Sequence, residues 1–524
     1  MAVKKIIPVG DVELEGPSAL TPKPVSLGES IEIDEVYTTW RNRSNEQVMF
    51  PLDMADLPVV IGQDRQLFVD NYIIADTQNV IREVHQPRRY DGNPVLAPPG
   101  PKPDTVGEMC LLHFDTAPHF RMWYTSYVGH HPWKNGQEIR QAVSYAVSDD
   151  GRHWQKPVLD LYQIEGSRER NFVIPYGIIQ GLFYDSWESD PQKRFKAILS
   201  VERKEQGERV VDTYYVHTSP DGIHWNGDFS YPTLQKLRGY TLPQGGIGDT
   251  SLFWYDPMRR KYVGDIKFVL PGKQRCRGVI ESDDLVHWSR PTPTMFERAD
   301  DAQVYGHCSC VYQGMYLGFR WIFLPDYSRR HSSYVELDCS RDGHVWTRVG
   351  AGQPFMAFNP NHDTWDATIM RPQAVLEVGD EVWIYYMGAP TEIELNNPDL
   401  PSAVCIEDVG FSCGLATVKR DRFASINAGE QVGTVITRPL DFKNGALHLN
   451  AQIAKGGEIN VAVLTRDAQP IAPWTIESCS ALHGDSIDMP VSWRDESKLT
   501  ELNDSSVRLQ FDLRSAKLFS FWID

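Results

Sequence analysis

Acids standing directly ahead of apolar, strand-length runs are the residues of this sequence that could do chemistry. Asp104 and Glu108 lie in "PDTVGEMCLLHF", Asp249 in "GGIGDTSLFWYD", Asp300 and Asp301 in "ADDAQVYGHCSC", and Asp363 and Asp366 in "HDTWDATIM". A carboxyl group set against a buried strand loses hydration, so it must be paired or put to use. Two such groups facing one ligand could do acid–base work. One would protonate a leaving oxygen while the other attacks carbon or activates water. The expected catalytic set is Asp249, Glu108, Asp366 and Asp104. The bland alternatives are backbone capping for Asp249, a solvated loop end for Glu108, an Asx-turn for Asp366 and a Pro-rich loop for Asp104. Around them His307, Trp123, Arg320, Glu336, Asp301, Arg371 and Trp365 are expected to bind the ligand. A core role for His307 and an arginine salt bridge for Glu336 stay open.

The elements that must position these groups are written as a repeat. "SDDGRHW" (148–154), "SPDGIHW" (219–225), "SDDLVHW" (282–288) and "SRDGHVW" (340–346) recur with Trp-to-Trp spacings of 71, 63 and 58 residues. Ahead of each stand three β-branched or aromatic runs of strand length, such as "MCLLHFD", "FRMWYTSY" and "QAVSYAV" before the first. In the motif the Asp carboxylate accepts backbone N–H groups, Gly takes positive φ and Trp drops between neighbouring sheets. Leu285 replaces that Gly in the third copy, so its turn is expected to differ. Four-stranded units of about 60 residues, repeated radially, are propeller blades.

A fifth unit, "DATIMRPQAVLEV", "EVWIYYMGA" and "FSCGLATVKRD", supplies three strands and lacks a fourth. "QLFVDNYIIAD" or "IREVHQP", upstream of the first unit, is expected to complete it and close the ring. The expected fold is all-β: a five-bladed β-propeller over 64–427, an N-terminal extension over 1–63 packing on it, and a C-terminal β-sandwich over 428–524.

Composition sets outer bounds. The 524 residues carry a net charge of −18, which disfavours nucleic acid as a partner. No apolar run is long enough to span a bilayer, and no secretory signal is read in "MAVKKIIPVGDVELEGPSAL", so a cytoplasmic location is expected. The eight cysteines show no C-x-x-C pair and read as free thiols. No cofactor and no metal are expected, and a homo-oligomer stays open.

The phrases "LFVDNYII", "HQPRRYDGNPVL", "FRMWY", "SRDGHVWTRVG", "EVWIYYMG" and "GLATVKRDRF", with "ALHLNA" and "VRLQFDLRSAKLFSF" further on, resemble the five-bladed propeller glycoside hydrolases of family 32, with kin in family 43. The likeness is to uncharacterised bacterial family-32-like proteins carrying a C-terminal sandwich, and it runs from about 64 onward. It implies an exo-acting glycoside hydrolase, with a β-fructofuranoside or arabinofuranoside as substrate. The N-D-P-N-G, R-D-P and E-C stretches of family 32 are absent, so its catalytic trio has no counterpart by motif. A sialidase-like site, a non-catalytic carbohydrate-binding propeller and a glycoside phosphorylase are the alternatives. For the last, Arg320, Arg329, Arg330 and His331 are the hint of a phosphate pocket.

Overall fold

The repeated turn shows the local chemistry most clearly. The computed structural model describes residues 56–98, 105–132, 138–164, 167, 169–205, 208–227, 233–234, 250–269, 275–295, 302–325, 331–358, 364–367, 369–389, 410–443, 445–494, 498–502 and 505–524. In the first copy Ser148 Oγ accepts the Gly151 N–H at 2.9 Å. Asp150 Oδ1 accepts the N–H groups of Arg152 and His153 at 2.9 and 2.8 Å. Trp154 Nε1 donates to the Gly151 carbonyl at 3.0 Å. Ser219, Asp221, Gly222 and Trp225 repeat this arrangement. The Ser and Asp bonds recur at Ser282 and Asp284, and at Ser340 and Asp342. Donors on Asp221, the His224 side chain foremost, outweigh its partial burial and hold its carboxyl down at about 2.

The third turn does not differ in backbone, contrary to expectation. Leu285 takes φ 65°, beside 69°, 79° and 75° for Gly151, Gly222 and Gly343. The difference lies in the tryptophan, since Trp288 Nε1 donates to Thr233 Oγ1 at 3.1 Å and Thr233 in turn donates to the Leu285 carbonyl. Left-handed backbone costs a non-glycine residue about 1 kcal/mol, but the Leu285 side chain is buried among Phe253, Tyr262 and Ile280. Leu285→Gly relieves the first term and loses the second. A net destabilisation of about 2 kcal/mol is expected in a denaturant melt.

Three strands precede every turn, as the sequence predicts. Unit 1 comprises Met109–His113, Phe120–Pro132, Glu138–Ser148 and Phe172–Ile174. Unit 2 begins at Ile178–Tyr184, unit 3 at Leu252–Asp256, unit 4 at Gln303–Tyr312 and unit 5 at Ile369–Val378. Each continues as an antiparallel meander. The first strands touch in the cyclic order 1-2-3-4-5-1. Apolar clusters fill the seams: Trp123 with Phe195 between units 1 and 2, and Tyr214 with Phe253 between 2 and 3. Phe319 and Tyr386 lie between units 4 and 5, and Trp383 with Phe120 between 5 and 1. The seam between units 3 and 4 has a small apolar cluster around Trp346. The chain is all-β, with no α-helix among the described residues.

Unit 5 is completed from upstream, but by neither expected run. Its fourth strand is Arg88–Arg89, paired with Thr417 and Ala416. The Leu96↔Cys413 bridge extends the contact. The two runs that the sequence offered pair elsewhere. Ile74–Gln78 joins Gly433–Thr437, and Ile81–Val84 joins Ala424–Ala428. They belong to an eight-stranded sheet built on Leu447–Leu464 and Arg508–Ile523. That sheet encloses a core of Phe68, Leu449, Val461, Trp493, Phe511 and Phe521. Residues 1–55, most of the expected N-terminal extension, lie outside the described residues. Seven cysteines are free among the described residues. No helix among them is long and apolar enough to cross a membrane.

Candidate active site

Glu108 stands directly ahead of the first strand of unit 1, where three units meet. The Gly107 N–H donates to the Thr125 carbonyl at 2.7 Å, and the Thr125 N–H returns to the Glu108 carbonyl at 2.8 Å. Thr125 Oγ1 accepts the Ile179 N–H of unit 2 at 3.2 Å, and the Val106 N–H donates to Phe411 ahead of the third strand of unit 5 at 3.0 Å. The Glu108 side chain is 8% exposed. Tyr127 OH donates to Glu108 Oε2 at 3.3 Å. A Cβ on Gly107 would lie 2.8 Å from the Tyr127 ring, so glycine is what lets the phenol lie across this turn.

Asp366 stands three residues ahead of Ile369, the start of the first strand of unit 5, and is differently held. Arg89 Nε lies 3.0 Å from Asp366 Oδ2, and Tyr386 OH donates to the same oxygen at 2.8 Å. Burial, together with this carboxylate, pushes the Tyr386 hydroxyl well above its ordinary range. Trp365 stacks on Tyr386 at 5.6 Å between ring centres and lies over Gly388 and Gly414. A Cβ on either glycine would meet that indole at 2.4 to 2.6 Å. Trp365 is partly buried.

Between units 3, 4 and 5 the rim is cationic and aromatic. Tyr305 carries Arg371 Cζ at 4.5 Å, Lys267 Nζ at 4.7 Å and Arg275 Cζ at 5.5 Å from its ring centre. Thr250 Oγ1 donates to the Tyr305 carbonyl at 3.0 Å, which ties the start of unit 3 to unit 4. Sequence reasoning singled out Arg371 here and missed Lys267, Arg275 and Tyr305. Each is one residue in an ordinary strand pattern, and no local signal marks their convergence.

Four residues expected to bind ligand are corrected by their surroundings. Trp123 is fully buried and donates to the Gly222 carbonyl at 2.6 Å, so its ring fills the seam between units 1 and 2. His307 is likewise fully buried, between units 3 and 4. Its Nδ1 lies 3.2 Å from Asp265 Oδ2 and its Nε2 3.5 Å from Asp338 Oδ2, with the ring edge-on to Trp346. Arg320 Nε donates to Asp338 Oδ2 at 2.8 Å. Glu336 pairs with Arg348 at 2.9 Å and accepts from Tyr334 OH at 2.9 Å. Burial raises the Glu336 carboxyl despite Arg348. These groups, with Arg277 on Asp265, form a buried ionic chain in the seam with the small apolar cluster.

The His307 ring needs the missing side chain of Gly318, where a Cβ would stand 2.1 Å from Nε2 and 2.8 Å from Trp346. Gly318→Ala should cost about 1–3 kcal/mol, read as a lower thermal midpoint. Asp249, Asp104 and Asp301 lie outside the described residues, as do Arg329 and Arg330. No cluster of three or more His, Cys, Asp or Glu fit to hold a metal occurs among the described residues.

No protein-family model matches the chain. No curated protein matches it either. Among solved structures it is similar to a "Glycoside hydrolase" at 15% identity and TM-score 0.43, covering 64% of this chain and 94% of that one. An N-acetylgalactosamine deacetylase from F. plautii, solved with blood group B trisaccharide, matches at 15% identity and TM-score 0.41, over 66% and 96%. A thermostable family-43 glycoside hydrolase matches at 12% identity and TM-score 0.40, over 64% and 96%.

Proposed function

We propose that the chain is a glycoside-cleaving enzyme whose site lies at the starts of the first strands. The observation that carries this reading is Glu108, a buried carboxyl group where units 1, 2 and 5 meet, with a phenol on one oxygen. In this reading Glu108 protonates the leaving oxygen. The second carboxylate is Asp249, the residue before Thr250, or Asp366. Arg89 and Tyr386 both donate to Asp366 Oδ2 and hold that oxygen in place. Trp365, beside it, offers the sugar an aromatic edge.

The resemblance of the quoted phrases to family 32 supports a terminal furanoside, cleaved in exo fashion. Proton NMR of the purified protein against fructosides, arabinofuranosides, galactosides and xylosides tests the reading. A new anomeric signal is expected from one class. Silence across the panel, with line broadening for one sugar, would replace catalysis by carbohydrate binding.

A further inference from the structure

Trp187 is 61% exposed and is the one tryptophan given to solvent among the described residues, since each of the others is buried or half-buried. It sits in the turn after the first strand of unit 2. The Glu188 N–H donates to the Asp185 carbonyl at 3.0 Å and closes that turn. The buried Asp185 side chain accepts from Lys196 and from Tyr262 OH of unit 3. Downstream, Glu188 Oε1 accepts the Asp190 N–H at 3.2 Å, and Asp190 Oδ1 accepts the Gln192 N–H at 3.0 Å. The backbone carrying the indole is fixed on both flanks, so a ligand packing on the ring would order little further there.

Beside the indole is Tyr255 of unit 3, at 5.1 Å between ring centres. Tyr255 meets Tyr262, and Tyr262 meets Phe183, so a chain of rings leads from the surface into the seam. The turn follows the end of a first strand, whereas Glu108 precedes the start of one. The first strand of unit 2 has 7 residues and spans about 20 Å, which puts Trp187 on the face opposite the candidate active site. Area and charge narrow what could cover it. Tyr184 is 38% exposed, and Met258, in the matching turn of unit 3, is 44% exposed. Even counted together with Trp187, these side chains leave only about 300 Å² open, well short of the roughly 800 Å² per side that a stable protein partner needs. The three acids and three bases of 185–196 cancel. Lys196 bridges Asp185 and Glu188, and Lys193 lies 3.3 Å from Asp190. That balance favours a neutral ligand. A sugar ring fits both limits, since its C–H face packs on an indole while its hydroxyls reach exposed polar groups such as Ser186 and Ser189.

We propose that Trp187, with Tyr255 beside it, is an anchoring site for a neutral polysaccharide chain, remote from the catalytic groups. The site holds the polymer without reacting with it. Its role as an anchor for substrate rests on the glycosidase reading, while its existence rests on the exposed indole and its rigid turn.

Affinity electrophoresis of the full chain in native gels containing inulin, arabinan, arabinoxylan or galactomannan tests the site, with polygalacturonate as the charged control. At least one neutral polymer should retard wild type, and more strongly than polygalacturonate does. Trp187→Ala should raise the Kd for that polymer by about tenfold, and Trp187→Phe by less. Both variants should keep the wild-type thermal midpoint, because the side chain is largely exposed. Equal retardation of wild type and Trp187→Ala would overturn the proposal, as would no retardation in any neutral gel or stronger retardation by polygalacturonate. A wild-type dimer in sedimentation that Trp187→Ala abolishes would also overturn it, giving the ring to a second copy of the chain. Glu108→Gln should be retarded like wild type while losing turnover. Retardation without cleavage of any glycoside would leave the anchor standing and remove the catalytic reading. Cleavage of a short glycoside without retardation would do the reverse.

Discussion

Glu108→Gln should lower kcat for glycoside cleavage by about a hundred- to ten-thousandfold, the usual contribution of a positioned proton donor. The amide keeps the size of the side chain and still accepts from Tyr127 OH, now 3.3 Å from the carboxylate. What it lacks is a transferable proton. The unfolding midpoint should stay close to that of wild type, so the loss reads as chemistry rather than collapse. Tyr127→Phe removes the donor on Oε2 and should cost about tenfold or less, with the pH–rate profile displaced. That displacement separates a positioning role from a merely structural one. A Glu108→Gln rate within threefold of wild type would move the proton donor to Asp249 or Asp366.

His307→Leu should destabilise the fold by about 3–5 kcal/mol, because it breaks a buried ion pair on both sides at once. The imidazole lies between Asp265 and Asp338, and Ser309 Oγ sits 3.0 Å from Nδ1. Arg277 and Arg320 face it through those two carboxylates, and Trp346 closes the remaining side. Burial acts to lower the pKa of His307, but the hydrogen bond and charge of Asp265, then of Asp338, raise it overall. Asp338 in turn is lowered, its burial outweighed by Arg320 and His307.

The sign of the pH dependence follows. A raised histidine pKa gives stability that is complete below the unfolded value of about 6.5. It is lost as pH rises through the folded value. Wild type should therefore lose stability from near neutrality upward, and His307→Leu should lack that slope. Parallel melts at pH 6 and pH 9 decide it. An identical difference at both would mean that the ring is neutral in the fold.

The repeated turns were legible because Ser, Asp and Gly do their work within seven residues. Even Leu285 betrays only its unusual letter, not its glycine-like φ. A ligand-binding role for His307 requires that residues of a unit's first strand point inward. Alternate residues of such a strand face the neighbouring units instead. The shift in pairing between Val304 and Gly306 breaks that alternation at Tyr305, and His307 faces Asp265 of unit 3. Glu108 was legible as an acid ahead of a strand, whereas Tyr127, which reaches it, is set by pairing between strands. The closing strand was misplaced because Arg88–Arg89 is too short to look like one. The apolar runs beside it pair in the eight-stranded sheet instead.

That closing strand has a consequence for biogenesis. Arg88 meets its partner Thr417 only after roughly 330 more residues have been made, about 20–60 s at typical elongation rates. Leu67, in the adjoining sheet, waits still longer for Ser520. Through that interval the stretch from 66 to 89 holds unpaired edges and apolar side chains such as Phe68, Val69 and Ile73, whose places are made by strands not yet synthesised. Early translation products should therefore depend on holding chaperones, and a nascent chain halted before residue 412 should be cut by protease within this stretch.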